Sequence, residues 1–85
     1  MRQQGDDGPK VITSDQIRAA RGLLGWSQPT LAKAAGISIS VIKDIEREAR
    51  TVRTATLLAI EAAFGRAGIV FLDPNGGGRG VRFRE

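Results

Sequence analysis

From Thr13 to Gly68, apolar residues recur at helical spacing, with glycines breaking the pattern and serines restarting it. Ser14 is a natural N-cap for a first helix, with Asp15 in its opening turn. Ile17, Ala20, Arg21 and Leu24 then follow at i, i+3, i+4 and i+7, and Gly25 stops the helix. Ser27 caps a second helix, with Pro29 in its first turn, where a missing N–H is no loss. Trp26 before that cap and Leu31 at the fourth helical position have the spacing of a hydrophobic staple. Leu31, Ala32 and Ala35 make its inward face, and Gly36 ends it in a left-handed conformation. Only Ile37 separates Gly36 from Ser38, which caps a third helix reaching about Arg47, with Ile42 and Ile45 inward. Thr54 opens a fourth helix through about Ala67, with Leu57, Ile60 and Phe64 inward and Gly68 as its stop. Glu61, on that otherwise apolar face, is expected to need a partner.

After Gly68 the period falls to two. Ile69-Val70-Phe71-Leu72 reads as a strand, Asp73 to Gly78 as a turn, and Val81-Arg82-Phe83-Arg84 as a second strand. Residues 1–10 are polar, contain Gly5, Gly8 and Pro9, and have no period, so a disordered tail is expected there. The expected organisation is therefore a tail over 1–12, a helical domain over 13–68 and a hairpin over 69–85. The first hairpin strand is apolar on both faces, and an isolated two-stranded hairpin is marginal in water. We therefore expect it to build a symmetric dimer. The competing outcome has the hairpin folded onto its own helices and a dimer formed through the fourth helix.

Composition narrows the chemistry. At 85 residues the chain has room for one domain with a modest core, which dimerisation would support. Cysteine, histidine and tyrosine are absent and no paired-carboxylate site appears, so no catalytic residue, metal or cofactor is assigned. No apolar run approaches the ~20 residues of a membrane span. The first ten residues lack the apolar stretch of a signal peptide, so a cytoplasmic location is expected. Basic residues outnumber acidic ones by 13 to 9, and Lys43, Arg47, Arg50 and Arg53 crowd around the end of the third helix. Trp26, directly before a cap, reads as a core residue. Gly76-Gly77-Gly78 precedes no helix, so it reads as a hairpin turn and not a phosphate cradle.

Ser27 to Arg47 carries the function. Two short helices joined by a tight glycine turn form a helix-turn-helix: Ala32 and Ala35 allow close crossing, Gly36 reverses the chain, and Ile37 and Ile42 plug the angle. The outer face of the second helix is then free for the DNA major groove. Ser27-Gln28, Leu31-Ala32, Gly36-Ile37-Ser38, Ile42 and Ile45-Glu46 together resemble the Cro/CI repressor-like (XRE) helix-turn-helix family, over Ile17 to Phe64. The closing hairpin resembles that of small bacterial members.

The resemblance implies a mainly α, lambda-repressor-like bundle of four to five helices that binds palindromic double-stranded DNA as a homodimer. It puts Ile39, Ser40, Lys43 and Asp44 at base edges or neighbouring phosphates. It puts Gln28, Ser38, Arg47, Arg50, Thr51 and Arg53 at phosphates, with Gln28 also buttressing the reading helix. Arg21 and Glu46, both charged at inward positions, are expected to form an ion pair, a link the family often makes. Three features depart from the pattern. Ile39 and Val41 are apolar where polar residues are commoner, and either faces DNA or packs on a neighbour. Asp44 is acidic on the DNA side, where it either accepts from a cytosine amino group or repels phosphate. Glu48 replaces the glycine often found after the reading helix. The leading reading is a transcriptional regulator, most often a repressor. The alternative is a protein-interaction module, an antitoxin or anti-activator whose hairpin grasps a partner; such an adaptor would not need the basic face.

Overall fold

The computed structural model describes residues 11–73 and 77–85. Four helices, α1 (Ser14–Leu24), α2 (Gln28–Ala35), α3 (Ile39–Glu46) and α4 (Thr54–Arg66), precede two antiparallel strands, β1 (Ile69–Leu72) and β2 (Gly80–Phe83). Most of the expected tail, residues 1–10, lies outside the described residues, as does 74–76 of the hairpin loop.

The start of α1 corrects two expectations. Its N-cap is Thr13, not Ser14: the Thr13 hydroxyl accepts from the Gln16 N–H at 3.2 Å, and Gln16 Oε1 accepts from the Thr13 N–H at 3.0 Å. That reciprocal capping box satisfies two otherwise orphaned donors, which Ser14 alone would not. The tail boundary also moves. Ile12, placed in the tail, is buried in the core, at the residue just before the cap, with Ile17 buried at the fourth helical position. These are the two positions of a hydrophobic staple.

Phe64, Ile17, Leu31, Ile42 and Ile60 are the largest fully buried side chains. Trp26 lies against this core, its ring stacked on Phe64 with centroids 5.5 Å apart, and Phe71 of β1 meets Phe64 edge-on at 5.7 Å. The hairpin therefore folds onto its own helices. Its register pairs Ile69 with Phe83 and Phe71 with Val81, so these four share one face. Ile69, Phe71 and Val81 pack on the core, while Leu72 and Phe83 remain exposed. β2 begins one residue earlier than expected, and the Arg84 N–H still bonds the Gly68 carbonyl at 2.8 Å. Gln16 latches the hairpin, its Nε2 donating to the carbonyls of Leu72 (3.3 Å) and Gly80 (3.0 Å). Glu61 is only half-buried and engages no partner among the described residues.

Each helix is followed by a left-handed residue. After α1, α2 and α4 this is Gly25, Gly36 and Gly68, but after α3 it is Glu48, at φ 57°. The closing bonds are nevertheless formed: the Glu48 N–H reaches the Ile45 carbonyl at 3.0 Å and the Ala49 N–H the Asp44 carbonyl at 2.8 Å. The Glu48 side chain accepts a hydrogen bond from the Ser14 hydroxyl at 2.7 Å, in an exposed setting. A side chain in this backbone region costs about 1–2 kcal/mol, more than an exposed hydrogen bond returns. Glu48→Gly is therefore expected to raise the melting temperature by roughly 4–8 °C. A fall in calorimetry would show that the Ser14 bond outweighs the backbone strain.

Candidate nucleic-acid interface

The turn between α2 and α3 depends on Gly36, at φ 71°, which lets the Ile37 N–H return to the Ala32 carbonyl at 3.0 Å. Ser38 starts α3, its hydroxyl accepting from the Val41 N–H at 3.4 Å. The helical period then divides α3. Ile42, Ile45 and Glu46 are buried, while Ser38, Ile39, Ser40, Lys43 and Arg47 are exposed. The two apolar residues separate: Val41 packs against the core, and Ile39 stands 37% exposed on the outer face. Arg50, Thr51 and Arg53 are exposed in the segment that follows.

The inner side of α3 is held by charge. Arg21 grips both Glu46 oxygens, through Nε at 2.6 Å and Nη2 at 2.7 Å, and also donates to the Trp26 carbonyl at 3.0 Å. Gln28 Nε2 donates to the same carboxylate at 3.1 Å, so part of its amide is turned inward to hold α3. Arg18, which the sequence reading passed over, bonds the Glu46 backbone carbonyl and pairs with Asp15. A carboxylate three residues before an arginine on a helix was the available signal for that surface pair. Burial pushes the Glu46 carboxyl up, but the hydrogen bonds from Arg21 and Gln28 and the nearby positive charges outweigh it and hold it below its ordinary value. The hydrogen bond to Glu46 in turn raises Arg21.

Asp44 is engaged on both oxygens, by Arg47 Nη2 and by Arg50 Nε, each at 3.0 Å. Each Asp44 oxygen thus already faces one guanidinium. Gln28, Ser40, Lys43, Asp44, Glu46 and Arg47 line one shallow depression.

Two helices meeting at a left-handed turn, the second presenting an exposed cationic face, define a helix-turn-helix unit. Residues 17–69 match the model of a helix-turn-helix family, and the chain belongs to that family, the Cro/CI repressor-like (XRE) regulators that bind DNA. No curated protein matched the sequence. Among the described residues no helix is long and apolar enough to cross a membrane.

Arg21→Met leaves the Glu46 carboxylate buried without its cation, and removing one partner of such a pair destabilises by about 3–5 kcal/mol. Because the folded-state value of Glu46 is depressed, its stabilisation is present above the unfolded carboxylate value of about 4.3 and is lost as pH falls through the folded value. Glu46→Gln should thus be less stable at neutral pH and lose less on acidification. Urea midpoints across the acid range for both proteins check this; equal acid losses would mean that another carboxylate controls them.

Proposed function

We propose that the protein is a sequence-specific transcriptional regulator that binds a palindromic operator as a homodimer and represses its own or a neighbouring operon from the cytoplasm. The observation that carries this reading is the exposed face of α3 and its following loop, where Ile39, Ser40, Lys43, Arg47, Arg50 and Arg53 are all exposed and the inner side of the helix is anchored at Glu46. In this reading Ile39, Ser40 and Lys43 meet base edges. Ser38, Arg47, Arg50, Thr51 and Arg53 meet phosphates, and Gln28 adds a phosphate contact to its inward bond.

Alanine at Arg50 or Arg53 should weaken binding to all duplexes alike and lower the salt slope by about one unit per lost contact. Ile39 should favour thymine through its C5-methyl group. On a duplex selected from random sequence, replacing the contacted thymine by uracil should weaken binding about fourfold, the worth of one buried methyl, and should not affect Ile39→Ser. Absence of any salt-dependent duplex binding would favour the protein-interaction alternative, with the hairpin as the partner-grasping element.

The dimer is assigned to the hairpin because a two-stranded sheet leaves open edges and Leu72 stands exposed on the face opposite the core-packed Phe71. Removing the hairpin would strip Ile69, Phe71 and Val81 from the core, so point changes are the better probe. Leu72→Glu should yield monomers in sedimentation while Leu58→Glu, on the outside of α4, stays dimeric; the reverse result would move the interface to α4.

A further inference from the structure

We propose that Asp44 is a built-in competitor for DNA phosphate, which occupies Arg47 and Arg50 in the free protein and thereby limits indiscriminate binding to DNA. This rests on the DNA-binding reading above. Among the outward residues from Ser38 to Arg53 there are two acids, and Glu48 is bonded to Ser14. Asp44 faces the cations instead. Its side chain is 23% exposed, whereas Arg47 and Arg50 are 71% and 51% exposed. The acid is thus the fixed member, planted on the helix, and the longer arginines fold onto it from the end of α3 and from the loop.

A guanidinium offers carboxylate and phosphate the same planar fork of donors. Each arginine commits one nitrogen to Asp44, so a phosphate that takes that nitrogen's N–H displaces the carboxylate, and the released carboxylate then faces the polyanion. An exposed ion pair shifts an equilibrium by a factor of about five at most, so two such pairs attenuate binding without abolishing it. The attenuation falls on every sequence alike, because phosphates carry no sequence information. It matters most where phosphate contacts are the whole of the attraction, as on non-specific DNA.

The experiment measures binding of the full chain to two 24-base-pair duplexes of unrelated sequence over a range of salt, for wild type, Asp44→Asn, Arg47→Ala/Arg50→Ala and the triple variant. Asp44→Asn should bind both duplexes roughly three- to tenfold more tightly at low salt, with a salt slope steeper by about one unit. In the arginine-free background the same change should have a clearly smaller effect. Without DNA, the Arg50 Nε–H resonance should shift in Asp44→Asn if the carboxylate holds that group.

An unchanged resonance, or weaker binding by Asp44→Asn, would overturn the proposal. A gain confined to one duplex would make Asp44 a base reader, and a gain that survives loss of both arginines would reduce it to simple charge repulsion. If wild type and Asp44→Asn both fail to bind either duplex at low salt while the resonance shifts, the DNA-binding reading fails and takes the competitor role with it. Wild-type binding without any gain in the variant overturns the competitor role alone.

Discussion

A carboxylate out of water needs its full complement of donors, and Glu46 draws them from two other helices. Arg21 comes from α1 and Gln28 from α2, while Glu46 itself ends α3 and Arg18 of α1 holds its backbone carbonyl. The charge is tolerable only when these groups are together, so the arrangement penalises compact states in which α3 has slipped or rotated. Hydrophobic contacts alone discriminate less sharply, because Ile42 and Ile45 would fill a slightly shifted pocket almost as well. The exposed side of α3 therefore has its direction fixed from behind. For a helix that must present side chains to a groove, this fixing of direction is the useful result.

Much of this was legible because the chain is strongly punctuated. Ser27, Ser38, Gly25, Gly36 and Gly68 mark ends where capping chemistry leaves few alternatives, and four helices begin or stop accordingly. The pairing of Arg21 with Glu46 was readable because both charges fall on inward positions of a 3.6-residue period. Thr13 and Ser14 are equally good caps in isolation, and only Gln16, three residues after Thr13, decides between them. Period-two alternation says that a strand buries one face but not against what, so the docking of Ile69 and Phe71 on Phe64 lay beyond it. Ile39 and Val41 are alike in type and differ only in angle around the helix, which needed the packing of α3 to resolve. Asp44 joins a helix residue to a loop arginine, and loop side-chain directions follow no sequence period.

Gln16 links regions that the sequence keeps far apart. Its oxygen closes the first turn of α1 while its nitrogen holds two hairpin carbonyls. Helix start and hairpin are thus parts of one cooperative unit, although 56 and 64 residues separate the bonded groups. The turn that begins with Thr13 also places Ser14 against Glu48, so the strained exit from α3 leans on the same stretch of chain.

The aromatic seam has a practical consequence. The chain contains one tryptophan and no tyrosine, and the indole lies stacked on Phe64, which in turn meets Phe71 of β1. Almost all ultraviolet emission from the protein therefore originates at one place, where the start of α2, the end of α4 and the first strand come together. A denaturation curve followed by fluorescence reports whether these three are joined. It carries little direct information on α3, whose exposed side bears no fluorophore.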